Sequence, residues 1–197
     1  MTEMMPPARP RLGFAQLMTR VRPLGLDPAR DPVFVAGVRG YYRDTMGRPG
    51  TNDRGIYDDA LFLVSPSFFG AYNGNTDPSG RRPGHGFSTR TRGLARLTPG
   101  LWRVHRFAKH NGKYLALCQR GGPVTVMRDG NPDYSHTGMF GINIHRGGVA
   151  TTSSLGCQTV HPAQWPSFIA SAVDQAKRYH GAAWDRVDIP YVLMEEE

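Results

Sequence analysis

The dipeptide Asn111-Gly112 joins two runs of alternating character, residues 101–108 before it and residues 114–119 after it. A two-residue link of this composition predicts a type I′ β-hairpin, whose two central residues take positive φ, a conformation Asn and Gly tolerate best. The middle of the chain is thereby committed to antiparallel strands. Segments 33–42, 57–64, 94–97, 124–128, 140–145 and 187–194 are likewise β-branched or aromatic and end in Gly, Pro, Asn or Asp. With 24 Gly and 16 Pro in 197 residues, the chain has turn formers enough to separate that many short strands. Pro190 argues that the last strand lies at a sheet edge, since proline cannot donate to a ladder.

One segment follows a different period. Trp165, Phe168, Ile169, Ala172, Val173 and Ala176 recur at helical spacing, and Lys177, Arg178, His180 and Gly181 close the run as a helix C-terminus does. The expected fold is mainly β, sandwich or barrel-like, with one amphipathic helix after residue 162, α+β overall. Residues 1–30 read as a flexible or partly helical leader, with a short helix over 14–21. Residues 31–197 read as a single domain, 31–92 supplying accessory strands and a long loop and 93–197 the core. That loop, 73–84, has the length and composition of a substrate-facing element.

The net charge is +8, and only Lys109, Lys113 and Lys177 among the basic residues are lysine. A surface of that sign favours anionic polymers such as nucleic acid, anionic lipid or cell wall. No apolar run approaches a membrane span and none resembles an export signal, so a soluble chain is expected.

Of the two cysteines, Cys118 lies in the apolar run Tyr114-Leu-Ala-Leu-Cys and reads as a buried structural thiol. Cys157 follows a Ser-x-Gly turn instead. A thiol near pH 7 needs a base or a positive dipole to act as a nucleophile. Strand alternation puts His145 on the face of Asn143 and opposite Ile144, giving a polar side that carries an imidazole. Gly156 leaves room for a substrate carbonyl, and the amides of Gly156 and Cys157 offer an oxyanion hole.

Ile144-His145 and Ser154-Leu155-Gly156-Cys157 resemble the catalytic signature of the L,D-transpeptidase (YkuD-like) family, in its divergent Ser-x-Gly-Cys form. A weaker likeness in strand order extends over 93–165. Leu155 stands where most of the family carries a histidine, and Thr159 where an arginine is usual. The resemblance implies a barrel- or sandwich-like β domain acting on the stem peptides of peptidoglycan, with no cofactor or metal and no specific nucleic acid. It assigns Cys157 as nucleophile, His145 as base and Gly156 to the oxyanion site, and Ser154, Arg146 and Asn143 become candidate substrate contacts. The acyl-enzyme is resolved by an amine or by water. A chain without an export signal would reach the wall by another export route or by lysis, as a phage or prophage lysis protein does.

Other chemistries stay open at this level. His161 is an alternative base. His136, His145, His161 and Cys157 are the candidate ligands for zinc, although no two of the seven histidines have a zinc-motif spacing. Trp102, Phe107, Tyr114 and Tyr134 among basic residues admit a nucleic-acid or wall-binding module. Asp53, Asp58, Asp59 and Asp77 invite a carboxylate site, weakened because neighbours Asp58 and Asp59 point to opposite strand faces and Asp77-Pro78 is a turn opener.

Overall fold

In the computed structural model, which describes residues 3–196, Asn111 and Gly112 take φ of 49° and 72°. The Lys113 N–H returns to the His110 carbonyl at 2.9 Å, closing the expected hairpin. In chain order the elements are α1 (Phe14–Val21), β1 (Phe34–Arg39), β2 (Asp59–Ser65), β3 (Phe68–Asn75), β4 (Ala95–Leu97) and β5 (Gly100–His110). There follow β6 (Tyr114–Gln119), β7 (Val124–Arg128), β8 (Tyr134–Gly138), β9 (Ile144–Arg146), β10 (Gln158–Val160), α2 (Trp165–His180) and β11 (Ile189–Glu195). Residues 1, 2 and 197, at the ends of the two expected segments, lie outside the described residues.

Eight strands close a barrel in the order β1-β11-β5-β6-β9-β10-β3-β2, and β4, β7 and β8 form a separate three-stranded sheet. The fold is therefore mainly β with a longer helix late in the chain. The β1–β11 and β9–β10 pairs are parallel; the other pairs are antiparallel.

Period-two alternation divides β1 and β2 between two apolar clusters. Val35, Leu61 and Leu63 join the cluster that α2 covers, while Phe34, Ala36, Val38, Phe62 and Val64 join Leu17, Met18 and Val21 of α1. Burial on both faces explains why β2 reads as an almost unbroken apolar run. The segment expected as a leader is helical over Phe14–Val21 and packed: each of its three buried side chains contributes roughly 1.5–3 kcal/mol. On α2, Trp165, Phe168, Ala172 and Ala176 are buried, and the Gly181 N–H bonds the Lys177 carbonyl.

Two strand expectations change. The edge position expected from Pro190 is wrong, because β11 lies inside the barrel between β1 and β5. Its register against β5 shifts between Ile189 and Tyr191, and that irregularity absorbs a residue without an N–H. The strand expected over 140–145 shortens to Ile144–Arg146. Among the described residues no helix is long and apolar enough to cross a membrane.

Candidate active site

Parallel pairing of β9 with β10 sets Ile144 beside Gln158 and His145 beside Thr159, and the Gln158 N–H donates to the Asn143 carbonyl at 2.8 Å. Cys157, one residue before β10, therefore comes opposite Asn143. Ile144 is fully buried in the core, so Asn143, His145 and Cys157 turn the other way. All three line a cleft of about 650 Å³. The Cys157 thiol donates to the Gly141 carbonyl at 3.2 Å and accepts the Asn143 N–H at 3.4 Å. Sulfur and imidazole share the cleft without a hydrogen bond between them.

The turn before the thiol is held from beneath. Ser154 Oγ donates to the Cys157 carbonyl at 2.7 Å and accepts the Gly156 N–H at 3.0 Å. The Ser154 backbone exchanges two hydrogen bonds with Ser79, both 2.8 Å. Ser154 is thus buried and ties the turn, and it does not line the cleft. Gly156 has φ of 141°, and a Cβ there would collide with the Ala95 carbonyl. With the Gly156 N–H already donated to Ser154, the Cys157 N–H is the amide left open, since nothing among the described residues accepts it.

His145 is buried, and its Nδ1 lies 2.8 Å from the Arg146 carbonyl. A carbonyl only accepts, so Nδ1 carries the hydrogen and Nε2 keeps a free lone pair. His110 stacks on this ring with centroids 4.1 Å apart and an 18° tilt. Asn143 orients that second imidazole: its Oδ1 accepts the Gln119 N–H at 2.9 Å, which leaves Nδ2 to donate to His110 Nδ1 at 3.0 Å. Nδ1 of His110 is therefore an acceptor and the ring is neutral.

Burial pushes the Cys157 thiol up to about 11, against a lowering by the Asn143 N–H. Burial first, and then the neighbouring His110, hold His145 down to about 4, opposed by its bond to Arg146. The resting site is a neutral thiol beside a neutral imidazole. Its surroundings are cationic: Arg82, Arg92, Lys109, Arg120 and Arg128 line the cleft and no carboxylate does. None of these five forms an ion pair among the described residues.

The remaining candidates lie elsewhere or serve other ends. The Arg146 guanidinium rests over the Tyr114 ring, 5.2 Å from its centroid, outside the cleft lining. Asn143 lies in the cleft, but its amide is committed to Gln119 and His110. His161 packs edge-on against Tyr57 and does not line the cleft, so it is not placed to act as base. His136 accepts from Arg128 Nε at 3.2 Å, so the four side chains named for zinc do not converge. Among the described residues no group of three or more His, Cys, Asp or Glu is placed to hold a metal ion.

Asp59 accepts the Gly40 and Thr76 N–H groups, each at 2.5 Å, and Asp58 accepts the Asp53 N–H at 2.7 Å, which makes them loop ties. Phe107 is buried against Trp184, and Trp102 packs partly buried against the core with its Nε1 donating to the Thr98 carbonyl. Cys118 is buried, as expected. Leu155 is 71 % exposed at the cleft rim. His110, Ser79, Arg92 and Arg128 carried no local sequence signal; the one hint was that His110 opens the Asn-Gly turn and so sits at a hairpin end.

Fold and cleft together define a closed β-barrel carrying a neutral histidine on β9 and a half-buried cysteine directly before the parallel β10. Comparisons with protein-family models, curated proteins and solved structures find no match for this chain. What the chain does is read from the cleft.

Proposed function

We propose that the chain is a cysteine acyltransferase or peptidase of L,D-transpeptidase type, acting on peptidoglycan stem peptides. The observation that carries this reading is that His145, on β9, and Cys157, directly before the parallel β10, face one cationic cleft, with no acceptor for the Cys157 amide among the described residues. The Ser154-x-Gly156-Cys157 resemblance and the abundance of carboxylates on stem peptides support it. Cys157 Sγ attacks a peptide carbonyl as His145 Nε2 takes the thiol proton, and the Cys157 N–H bonds the oxyanion. His145 returns the proton to the departing amine, leaving an acyl-thioester. An incoming amine or water, losing its proton to His145, then releases the acyl group. The Arg146 carbonyl accepts from Nδ1, which leaves Nε2 as the nitrogen that takes up and returns the proton. Action on the wall follows export or lysis.

The test is incubation of purified wild type, Cys157→Ala and Cys118→Ala with peptidoglycan, followed by mass analysis of the muropeptides. New cross-links or shortened stems from wild type and Cys118→Ala, absent with Cys157→Ala, are the expected result. Wall chemistry that persists in Cys157→Ala, or tight DNA binding with no change in muropeptides, overturns the reading.

A further inference from the structure

Arg128 is only 4 % exposed, yet it pairs with no carboxylate among the described residues. Its Nη1 donates to the Gly93 carbonyl at 3.0 Å and its Nε to His136 Nδ1 at 3.2 Å. Nη2 is buried and has no partner. Elsewhere in the fold partly or fully buried arginines are paired: Arg39 with Asp77, Arg54 with Asp129, Arg103 with Asp31. A buried guanidinium with no carboxylate partner among the described residues is an exception that calls for a reason, because an unpaired buried charge is unfavourable.

Arg92 supplies the second half of the pattern. It is half-buried, lines the same cleft, and has no ion-pair partner among the described residues. Its Cζ lies 5.7 Å from the centroid of the Phe140 ring, and that of Arg128 lies 4.5 Å from the same centroid. Two guanidinium groups thus stack on one aromatic ring, a geometry that holds their planes while leaving edges to hydrogen-bond. Phe140 directly precedes Gly141, whose carbonyl accepts the Cys157 thiol. His136 accepts from Arg128 Nε at its Nδ1, and burial, then the charges of Arg128 and Arg92, lower its pKa.

We infer that Arg92 and Arg128, stacked on Phe140, form a carboxylate-binding subsite in the Cys157 cleft. The ligand is a free carboxylate carried by the acyl donor or acceptor, met by the half-buried Arg92 guanidinium and held by the buried charge of Arg128 behind it, which no carboxylate among the described residues offsets. Assigning that carboxylate to a stem peptide rests on the proposed function; the anion site itself does not.

The test compares alkylation of Cys157 by iodoacetate, which carries a carboxylate, with alkylation by neutral iodoacetamide. The ratio of the two rates, divided by the same ratio for the uncharged N-acetylcysteine amide, cancels thiol reactivity. It is expected to exceed one in wild type by roughly tenfold, the low end of electrostatic enrichment in a charged cleft. In Arg92→Gln and Arg128→Gln it falls toward one, with Arg128→Lys between. A normalised ratio unmoved in the folded variants overturns the subsite. Circular dichroism verifies folding, and the more exposed Arg92→Gln carries the test if Arg128→Gln does not fold.

A second arm measures KM for a stem tetrapeptide with a free carboxylate on its diamino acid, and for the corresponding amide. Arg92→Gln is expected to raise KM for the acid by a larger factor than for the amide. A ratio that responds to the arginines while wild type turns over no peptide leaves the subsite standing and removes the peptidoglycan reading. Turnover indifferent to both arginines does the reverse.

Discussion

The pH dependence of Cys157 alkylation separates two kinds of thiol site. If burial holds the thiol at about 11, the thiolate fraction at pH 7 is roughly one in ten thousand, against about 3 % for a free cysteine. A thiolate of higher basicity is the better nucleophile, and a Brønsted slope of about 0.4–0.5 returns roughly tenfold of that loss. The net expectation is alkylation by iodoacetamide about 30-fold slower than for N-acetylcysteine at pH 7, followed by mass mapping of the Cys157 peptide. The rate should climb close to tenfold per pH unit from 7 to 10, where a free thiol levels off above about 8.5. A plateau reached by pH 7, or a neutral-pH rate above that of N-acetylcysteine, would mean a preformed thiolate–imidazolium pair and would refute the neutral resting state.

Three further outcomes follow from the site and its supports. Replacing His110 by Ala removes the stacked ring that helps depress His145, so the His145 pKa should move up from about 4 toward 6.5 in an NMR titration; no movement would deny the stack a role. Ser154→Ala leaves the Gly156 N–H and the Cys157 carbonyl without their partner and should cost about 1–3 kcal/mol in urea unfolding, against a near-zero change for a surface serine. Asp58 is held above the usual carboxylate range by burial and then by Asp59. The folded chain therefore keeps a proton that the unfolded chain releases above about pH 4, so this contribution is present at low pH and is lost as pH rises. Asp58→Asn should flatten the fall in melting temperature toward pH 9 relative to wild type, and an equal fall in both would sink the linkage. His105 and His145, both depressed to about 4, act oppositely between about pH 4 and 6.5, so the wild-type-minus-variant difference is the quantity to read.

Much of the barrel was legible because its strands obey local rules. Asn111-Gly112 names its own turn, and α2 declares its buried stripe through Trp165, Phe168, Ala172 and Ala176. Period-two alternation alone put Asn143 and His145 on one side and Ile144 on the other, which is how the cleft arises. What stayed hidden depended on partners distant in sequence. In β8, Tyr134–Gly138, no residue is buried, so it shows no apolar alternation to find. The place of β11 inside the barrel was masked by Pro190, because whether an absent N–H matters depends on a register shift against β5 that only pairing creates. His110 reaches His145 because the β5–β6 hairpin brings its turn to β9, and Ser154 is diverted from substrate by Ser79, a residue of the long loop.

The electrostatic design of the cleft has a direction. Each titratable group at the reacting centre is held neutral: the thiol by burial, His145 by burial and the ring beside it, His110 by the amide of Asn143. The fixed charges around them are all positive and form no ion pair among the described residues. Moving the thiol proton to His145 in the empty site spans about seven pH units, from about 11 to about 4. That is on the order of 10 kcal/mol before the two new charges attract each other. Turnover of about 10 per second leaves a total barrier of roughly 16 kcal/mol, so a separate proton transfer would consume most of it. In the proposed reaction the transfer therefore accompanies attack on a bound carbonyl, where negative charge passes to the oxyanion beside the Cys157 N–H instead of resting on sulfur. The same arrangement that makes the unliganded thiol sluggish therefore makes its reactivity, in the proposed reaction, conditional on a carbonyl bound beside the Cys157 N–H. Added acetate or glutarate, an anion that cannot acylate the thiol, should accordingly raise the His145 pKa without quickening alkylation of Cys157.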